Sequence, residues 1–213
     1  MDIGQLIVIG LSIVLLIWYF GASVYNRRRG QALGRWLQAG LKSLGGQASY
    51  KWIGSSASGL QAIVNGGRPP WKSAEAILLL ETRELLPLWI FQRLTGRRDQ
   101  LILKLALRHR LTGSLDAAPR VVPPQGWTQT PGPHGLQLTT DRAGVAVVSR
   151  LTPFLDRYGP ALRSLSVRPQ EPQLILALNM SALESEPAEK VLEALAESFT
   201  SSNSIHVGAK HPK

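Results

Sequence analysis

The chain has 213 residues, no Cys and a formal net charge of +10. The absence of Cys excludes a disulfide scaffold, a thiolate zinc site, an iron–sulfur cluster and a cysteine nucleophile. Hydrophobic residues make up 44% of the chain and charged residues only 18%, which argues against a disordered protein and suits one domain or two small ones.

The positive charge is concentrated in one part of the chain. Residues 26–120 hold sixteen Lys and Arg against five Asp and Glu, whereas residues 121–213 hold eight of each. An anionic lipid surface, a solvated sheet face and nucleic acid would each suit such a basic segment. We favour the lipid surface, because the basic segment directly follows an apolar N-terminal segment.

The first 25 residues carry a single charge, that of Asp2. As a helix, residues 3–25 would reach about 34 Å, enough to cross a hydrocarbon core of about 30 Å. We expect residues 1–26 to form a transmembrane anchor rather than a cleaved signal peptide, which would need positive charge before its apolar core. The expected anchor residues are Leu6, Ile9, Ile13 and Leu16, with the interfacial aromatics Trp18, Tyr19 and Tyr25.

The cations that follow the apolar segment predict its orientation. Positive residues near a span favour the cytoplasmic side, and here none precedes the span. We therefore expect a single-pass protein of the cell membrane, with its N-terminus outside and residues 27–213 in the cytoplasm. The residues expected to set this topology and to contact anionic headgroups are Arg27, Arg28, Arg29, Arg35 and Lys42.

Residues 27–46 are predicted to form a basic, amphipathic juxtamembrane helix. Within residues 30–44, one helical face collects the apolar side chains, and we expect this face to lie at the level of the headgroups. The alternative is that the same face packs on the core of the protein's own domain. The apolar residues of this face are Leu33, Trp36, Leu37, Leu41 and Leu44.

The sequence pattern of residues 47–112 predicts a basic, antiparallel sheet. Candidate strands fall at residues 50–53, 60–64, 76–82, 86–93 and 101–108, separated by Gly- and Pro-containing turns. The main alternative is a helix over residues 74–94, where Ala, Leu and Glu are frequent. Residues 113–134 are rich in Pro and Gly and are expected to be a linker or a long loop.

The last third predicts the order β-α-β-β-α over residues 135–200. A strand at residues 136–138 is followed by a helix over residues 142–158, which Pro153 should kink or divide. Strands at residues 162–168 and 174–179 and a helix ending at Phe199 complete the unit, before a flexible tail at residues 201–213. The predicted fold class is α+β: one transmembrane helix, a mostly antiparallel β-sheet region and this second region.

No catalytic or cofactor motif stands out in the sequence. Phosphate-binding Gly-rich loops and the G-x-S-x-G elbow are missing, and the four His residues are not paired at ligand spacing, so we expect no metal and no cofactor. Glu81 and Glu84, on either side of Arg83, resemble an acid–base pair but are better explained as a surface turn. The possible anion-binding residues are Arg93, Arg97, Arg98 and Arg108.

Two functions remain in view. The first is a membrane-anchored protein whose cytoplasmic α+β module binds a protein partner, as an accessory or scaffold subunit of a membrane complex. The second is a membrane-tethered binder or enzyme that acts on anionic lipid or another phosphorylated ligand through the Arg-rich face. Nucleic acid is the least favoured partner, because the aromatic residues lie in apolar contexts that suit a core or a membrane interface, and their interleaving with Arg is not specific to a stacking platform.

Overall fold

In the computed structural model, which describes residues 2–200, the chain begins with one very long helix, α1 (Ile3–Ser43). At about 1.5 Å per residue its 41 residues reach about 60 Å, twice the thickness of a membrane core. Its most apolar 18-residue window has no buried part, so α1 contains a candidate membrane-spanning segment near the N-terminus. Its second half packs into the folded domain.

All of the strands within residues 2–200 belong to one nine-stranded sheet in which each neighbouring pair is antiparallel. The spatial order is β1-β2-β3-β4-β9-β8-β5-β7-β6, so the two predicted regions share a single sheet. The strands are β1 (Gln47–Trp52), β2 (Gly59–Asn65), β3 (Trp71–Leu79), β4 (Gln100–Leu107), β5 (Leu115–Ala118), β6 (Thr128–Pro131), β7 (Gln137–Thr140), β8 (Leu162–Val167) and β9 (Leu174–Asn179).

The two halves of the chain meet where β4 pairs with β9. Leu103 of β4 lies opposite Leu176 of β9, which in turn lies opposite Leu165 of β8. All three side chains are buried on the same face of the sheet. The alternation of Leu with other residues along these strands therefore builds one continuous core, and the predicted α+β class is confirmed.

Helices cover this core face. They are the C-terminal half of α1, α3 (Val145–Tyr158) and α5 (Ala188–Thr200), with the single-turn α4 (Met180–Leu183) beside them. Contact between α1 and α5 is close, because a Cβ at Gly40 would collide with Ala188.

The apolar face of residues 30–44 belongs to this core. Leu33, Leu37, Leu41 and Leu44 are buried among the residues of the sheet and of α5. The expectation that this face lies at the headgroups is therefore wrong, and the alternative that it packs on the protein's own domain is correct. The reason is that a sheet with an apolar face must bury that face, and α1 is the element that supplies the cover.

The opposite face of the sheet, here called the open face, carries no helix among residues 2–200. Its middle strands present aliphatic side chains that are half-buried or exposed, around a Glu75–Lys104 ion pair of 3.0 Å. The Glu75 carboxylate also accepts a hydrogen bond of 2.7 Å from Gln61. The aliphatic residues of the open face are Ile63, Ile77, Leu79, Ile102 and Ile175.

Three local predictions differ from the structure. Residues 86–93 are not a strand: they lie in the helix α2 (Leu86–Leu94), with Pro87 in the first turn, where a missing N–H costs no hydrogen bond. The segment expected to be a linker contains β5 and β6, and α3 runs through Pro153 as one element. The predicted tail at residues 201–213 lies outside the described residues.

Candidate membrane-interface site

Where α1 leaves its apolar half, it meets a cluster of buried polar side chains from the loops on either side of α2. We call Asn26, Arg29, Glu81, Arg83 and Asp99 the junction cluster. Asn26 is completely buried, and its Nδ2 donates to the backbone oxygen of Glu81 at 2.8 Å. Its Oδ1 accepts from Arg83 at 2.7 Å. A buried polar side chain has to be paired in this way, since an unpaired group costs about 1–3 kcal/mol.

Asp99 is the centre of the charges in the junction cluster. One of its carboxylate oxygens accepts from Arg29 at 2.5 Å and from Arg83 at 3.0 Å, and the other accepts from the Glu81 N–H at 2.9 Å. Burial alone would raise the pKa of Asp99, but the hydrogen bonds from Arg83, Arg29 and Glu81 hold it below its ordinary value. Asp99 is therefore ionised and ties α1 to the sheet.

Arg29 completes the junction cluster on the α1 side. Its guanidinium also contacts Glu184 at 3.0 Å, next to α4. Burial opposes the charge of Arg29, but hydrogen bonds to Asp99 and Glu184 outweigh burial and raise its pKa. Because Asp99 precedes β4 and Glu184 follows α4, Arg29 joins α1 to two separate parts of the folded domain.

Aromatic residues extend the junction cluster toward the apolar half of α1. The Trp18 indole donates to the Arg83 backbone oxygen at 2.9 Å, and its ring lies 5.2 Å from the ring of Trp89 in α2. The Trp89 indole in turn donates to the Glu81 carboxylate at 3.2 Å. The guanidinium of Arg83 lies over the ring of Tyr25 at 5.4 Å. The apolar segment, α2 and the sheet are thus joined by direct contacts.

Helix α2 has no buried residue, although seven of its nine residues are apolar. Phe91 is 60% exposed and Leu94 is 82% exposed. An exposed apolar face of this kind marks an interaction surface for a protein or for a membrane, where an amphipathic helix buries such a face among the lipids. The exposed apolar side chains of α2 and the preceding residue are Leu85, Leu88, Ile90, Phe91 and Leu94.

Three of the four predicted anion-binding residues lie at this end of the sheet. Arg93 is the one Arg of α2 and lies near its C-terminal end, and Arg97 and Arg98 follow in the turn before β4. We call these three residues the basic rim. Arg98 donates to the backbone oxygens of Arg93 and Arg97, at 3.4 and 2.9 Å, which holds the turn together.

Arg108 does not join the basic rim. It lies beyond the other end of β4, about 25 Å away at the rise of a strand. Its guanidinium donates to the backbone oxygens of Trp71 and Gly67, at 3.1 and 2.7 Å. The structure thus separates Arg108 from the other predicted anion-binding residues and uses it to support a loop.

The predicted anchor residues lie on the first six turns of α1. Most are exposed, as a lipid-facing position requires, but Trp18 is partly covered by α2 and bonded to Arg83. The exposed anchor residues are Leu6, Ile9, Ile13, Leu16, Tyr19 and Tyr25. Of the predicted topology residues, Arg27, Arg28, Arg35 and Lys42 are exposed, while Arg29 is paired with Asp99 and Glu184.

The residues of the junction cluster were not predicted to form a site. In the sequence, Asn26 marks the end of the apolar segment, and Glu81 and Arg83 are predicted on a surface turn. In the structure, Glu81 and Arg83 are buried. A signal was present: one Asn directly after a membrane-length apolar segment, followed on the same helix by Arg29. Its partners come from residues 81–99, and sequence spacing does not reveal that contact.

The chemistry of this site is that of attachment. Its carboxylates are already bonded to Arg and Trp side chains, and among residues 2–200 no three His, Asp or Glu side chains come together to hold a metal ion. No protein-family model matches the sequence, and no curated protein is significantly similar to it. Function is therefore inferred from the geometry of this interface.

Proposed function

We propose that the protein is a single-pass protein of the cell membrane, with its N-terminus outside, whose cytoplasmic α+β module acts as an interaction or scaffold subunit of a membrane complex. One observation carries the proposal: α1 continues without a break from its apolar half into the core of the domain. A rigid helix with no linker holds the sheet in one orientation relative to the membrane. A scaffold needs such a fixed orientation, whereas a freely tethered domain has a flexible linker.

The proposed placement of the domain against the membrane, here called its seating, supports the same function. Trp89 of α2 and Arg93 of the basic rim lie beside residues 17–25 of α1, where a span reaches the headgroups, and the exposed apolar side chains of α2 belong to the same short helix. Apolar side chains there enter the lipid boundary, and each nearby Arg adds about 1 kcal/mol of attraction to an anionic surface. The domain then touches the membrane at two points, the span and α2.

The open face is the surface that this seating leaves for a partner. Its aliphatic side chains lie on both sides of the Glu75–Lys104 pair, and Ile77 of β3 faces Ile102 of β4, so the face mixes apolar and charged groups. A mixed surface of this kind is typical of interfaces between proteins that also exist apart. The partner we propose is the cytoplasmic part of another membrane protein, since such a protein is held at the same membrane surface as the open face.

Photocrosslinking in native membranes tests this function. A benzoylphenylalanine residue at Ile63 or Ile175 is expected to give one discrete adduct with an integral membrane protein. The same residue at Gln31, which is exposed on α1, is the matched control and should give none. Equal adducts at all three positions, or no adduct at the open face, would refute the scaffold function.

The orientation has its own test. A membrane-impermeant maleimide should label a Cys at Gly4 in intact cells, and a Cys at Ser58 only after the membrane is opened. Because the natural chain has no Cys, each variant carries a single reactive thiol. Labelling in the reverse order would contradict the proposed topology.

The basic rim favours a second candidate, a binder of anionic lipid or another phosphorylated ligand. This function requires that reversing the charge of Arg97 and Arg98 weakens binding to anionic vesicles in a salt-sensitive manner. Unchanged binding of the reversed protein would eliminate it.

A further inference from the structure

A groove of about 430 Å³ lies between the end of the apolar segment of α1 and helix α2. Its walls are mostly apolar: Ile17, Gly21 and Ala22 line it from α1, and Trp89 lines it from α2. No atom lies within 4 Å of the position that a Cβ on Gly21 would occupy, so the groove is open along α1 at this point. A volume of about 430 Å³ is large enough for part of an acyl chain.

The position of the groove along α1, and therefore its depth in the membrane, determines which molecule can occupy it. Residues 17–25 are the last two turns of the apolar segment, where hydrocarbon gives way to headgroups. A groove at this depth opens to lipid rather than to bulk water. Apolar walls there favour an acyl chain, because water would gain few hydrogen bonds from them.

A cation stands at the rim of the same groove. The Arg93 guanidinium lies over the Trp89 ring at 5.3 Å, and its side chain is 47% exposed. Within residues 2–200 its one ion-pair contact is a long one, 3.7 Å from Nε to Glu81. Its outer nitrogens form no hydrogen bond or ion pair in this part of the chain, so they are free to bind a phosphate oxygen.

The second Arg of the groove has a different role. Arg83 is 10% exposed, and its outer nitrogens are bonded to Asn26 and Asp99. Arg83 therefore supports the base of the groove, and few of its N–H donors remain free to bind a ligand. Arg97 and Arg98, in the turn that follows α2, add positive potential beside Arg93.

We propose that this groove binds one acidic phospholipid, with an acyl chain against Ile17, Gly21 and Trp89 and the phosphate on Arg93. The inference rests on the membrane anchoring of the proposed function and adds a specific lipid site to it. It differs from general attraction to the surface, because it requires one lipid at one place with both a chain contact and a phosphate contact.

Native mass spectrometry of the full chain, released from detergent with added phosphatidylglycerol or phosphatidylcholine, tests the site. We expect one phosphatidylglycerol to be retained in preference to phosphatidylcholine. Arg93→Gln should weaken that binding about fivefold, and Arg93→Lys should restore most of it. Arg28→Gln, which removes an exposed Arg at a similar depth but outside the groove, is the matched control and should bind as the wild type does.

A second pair of variants tests the acyl-chain contact. Gly21→Leu fills the groove and should abolish retention of both lipids, whereas Gly10→Leu, on an open part of the same helix, should not. Each variant is first floated with vesicles and its thermal unfolding is measured, so that loss of the anchor or of the fold is seen separately.

The outcomes are distinct. Equal lipid retention by Arg93→Gln, Arg28→Gln and the wild type would overturn the phosphate contact. Retention of phosphatidylglycerol by Gly21→Leu at the wild-type level would overturn the acyl-chain contact, and the lipid site with it. A wild-type chain that does not float with vesicles would refute the anchor itself, and the lipid site with it.

Discussion

The guanidinium of Arg83 donates a 2.7 Å hydrogen bond to the side-chain oxygen of Asn26, joining the end of the apolar segment to the loop that precedes α2. Both side chains are buried. The pair fixes where the domain sits on α1, since Asn26 also donates to the Glu81 backbone and Arg83 also reaches Asp99. The rigid attachment of the domain to the apolar half of α1 depends on these bonds.

Asn26→Ala is expected to lower the free energy of unfolding by about 2–4 kcal/mol, because it leaves the buried Arg83 donor and the Glu81 backbone oxygen without partners. Urea unfolding of the full chain in detergent micelles, followed by Trp fluorescence, measures the change. Gln31→Ala, on an exposed part of the same helix, should lie within about 0.5 kcal/mol of the wild type. Equal effects of the two substitutions would contradict the role of the junction cluster.

Asp99→Asn is expected to cost about 3 kcal/mol or more near neutral pH, since it leaves two Arg side chains without their shared carboxylate. The cost should depend on pH. The pKa of Asp99 is lowered in the folded state, so its carboxylate stabilises the fold above the unfolded pKa of about 3.9, and this contribution disappears as the pH falls through the lowered value.

The difference between wild type and Asp99→Asn should therefore shrink as the pH drops below about 4. Unfolding curves at several pH values between 7 and 2 provide the measurement. Asp156→Asn, which changes an exposed carboxylate on α3, is the control and should follow the wild type throughout. A cost for Asp99→Asn that is independent of pH would show that the ionised carboxylate is not what holds α1.

Gly40→Ala should weaken the contact between α1 and α5, because a methyl group at this position collides with Ala188. Overpacking of this kind costs about 1–3 kcal/mol. The melting temperature of the full chain in detergent should fall accordingly. Gly10→Ala adds the same methyl group where no atom lies within 4 Å and should leave the melting temperature unchanged.

Trp36→Phe separates the two explanations of the apolar face of residues 30–44. The Trp36 indole donates to the Glu186 backbone oxygen at 2.7 Å, so its loss should cost about 1 kcal/mol of stability. Vesicle flotation should not change, because this part of α1 faces the domain. Weaker flotation at unchanged stability would instead place Trp36 at the headgroups.

The regular parts of the fold could be predicted from local pattern. The alternation of Leu101, Leu103 and Leu105 indicates β4, and the uncharged length of residues 3–25 indicates the first half of α1. These patterns depend on neighbours in sequence. They are sufficient for the α+β class and for the order β-α-β-β-α of the last third.

The site could not be predicted in the same way. Asn26, Arg83 and Asp99 meet only because the sheet folds back against α1. In the sequence each of them is an ordinary polar residue near a predicted turn or segment end. Residues 86–93 were expected to form a strand because their apolar side chains suggest burial on both faces. In the structure these side chains are exposed on a helix, and a pattern of hydrophobicity alone cannot distinguish an exposed apolar helix from a buried strand.

The central claim is that α2 lies in the membrane boundary beside the span. The most direct test is power-saturation EPR of single spin labels, on Cys introduced at Leu88, Phe91 and Leu94 and, as aqueous controls, at Ile63 and Ile175, with the full chain in vesicles of phosphatidylglycerol and phosphatidylcholine. Labels on α2 should be accessible to oxygen and shielded from a water-soluble nickel complex, while the open-face labels should show the reverse. Labels on α2 that are as accessible to nickel as those at Ile63 and Ile175 would contradict the seating of the domain on the membrane.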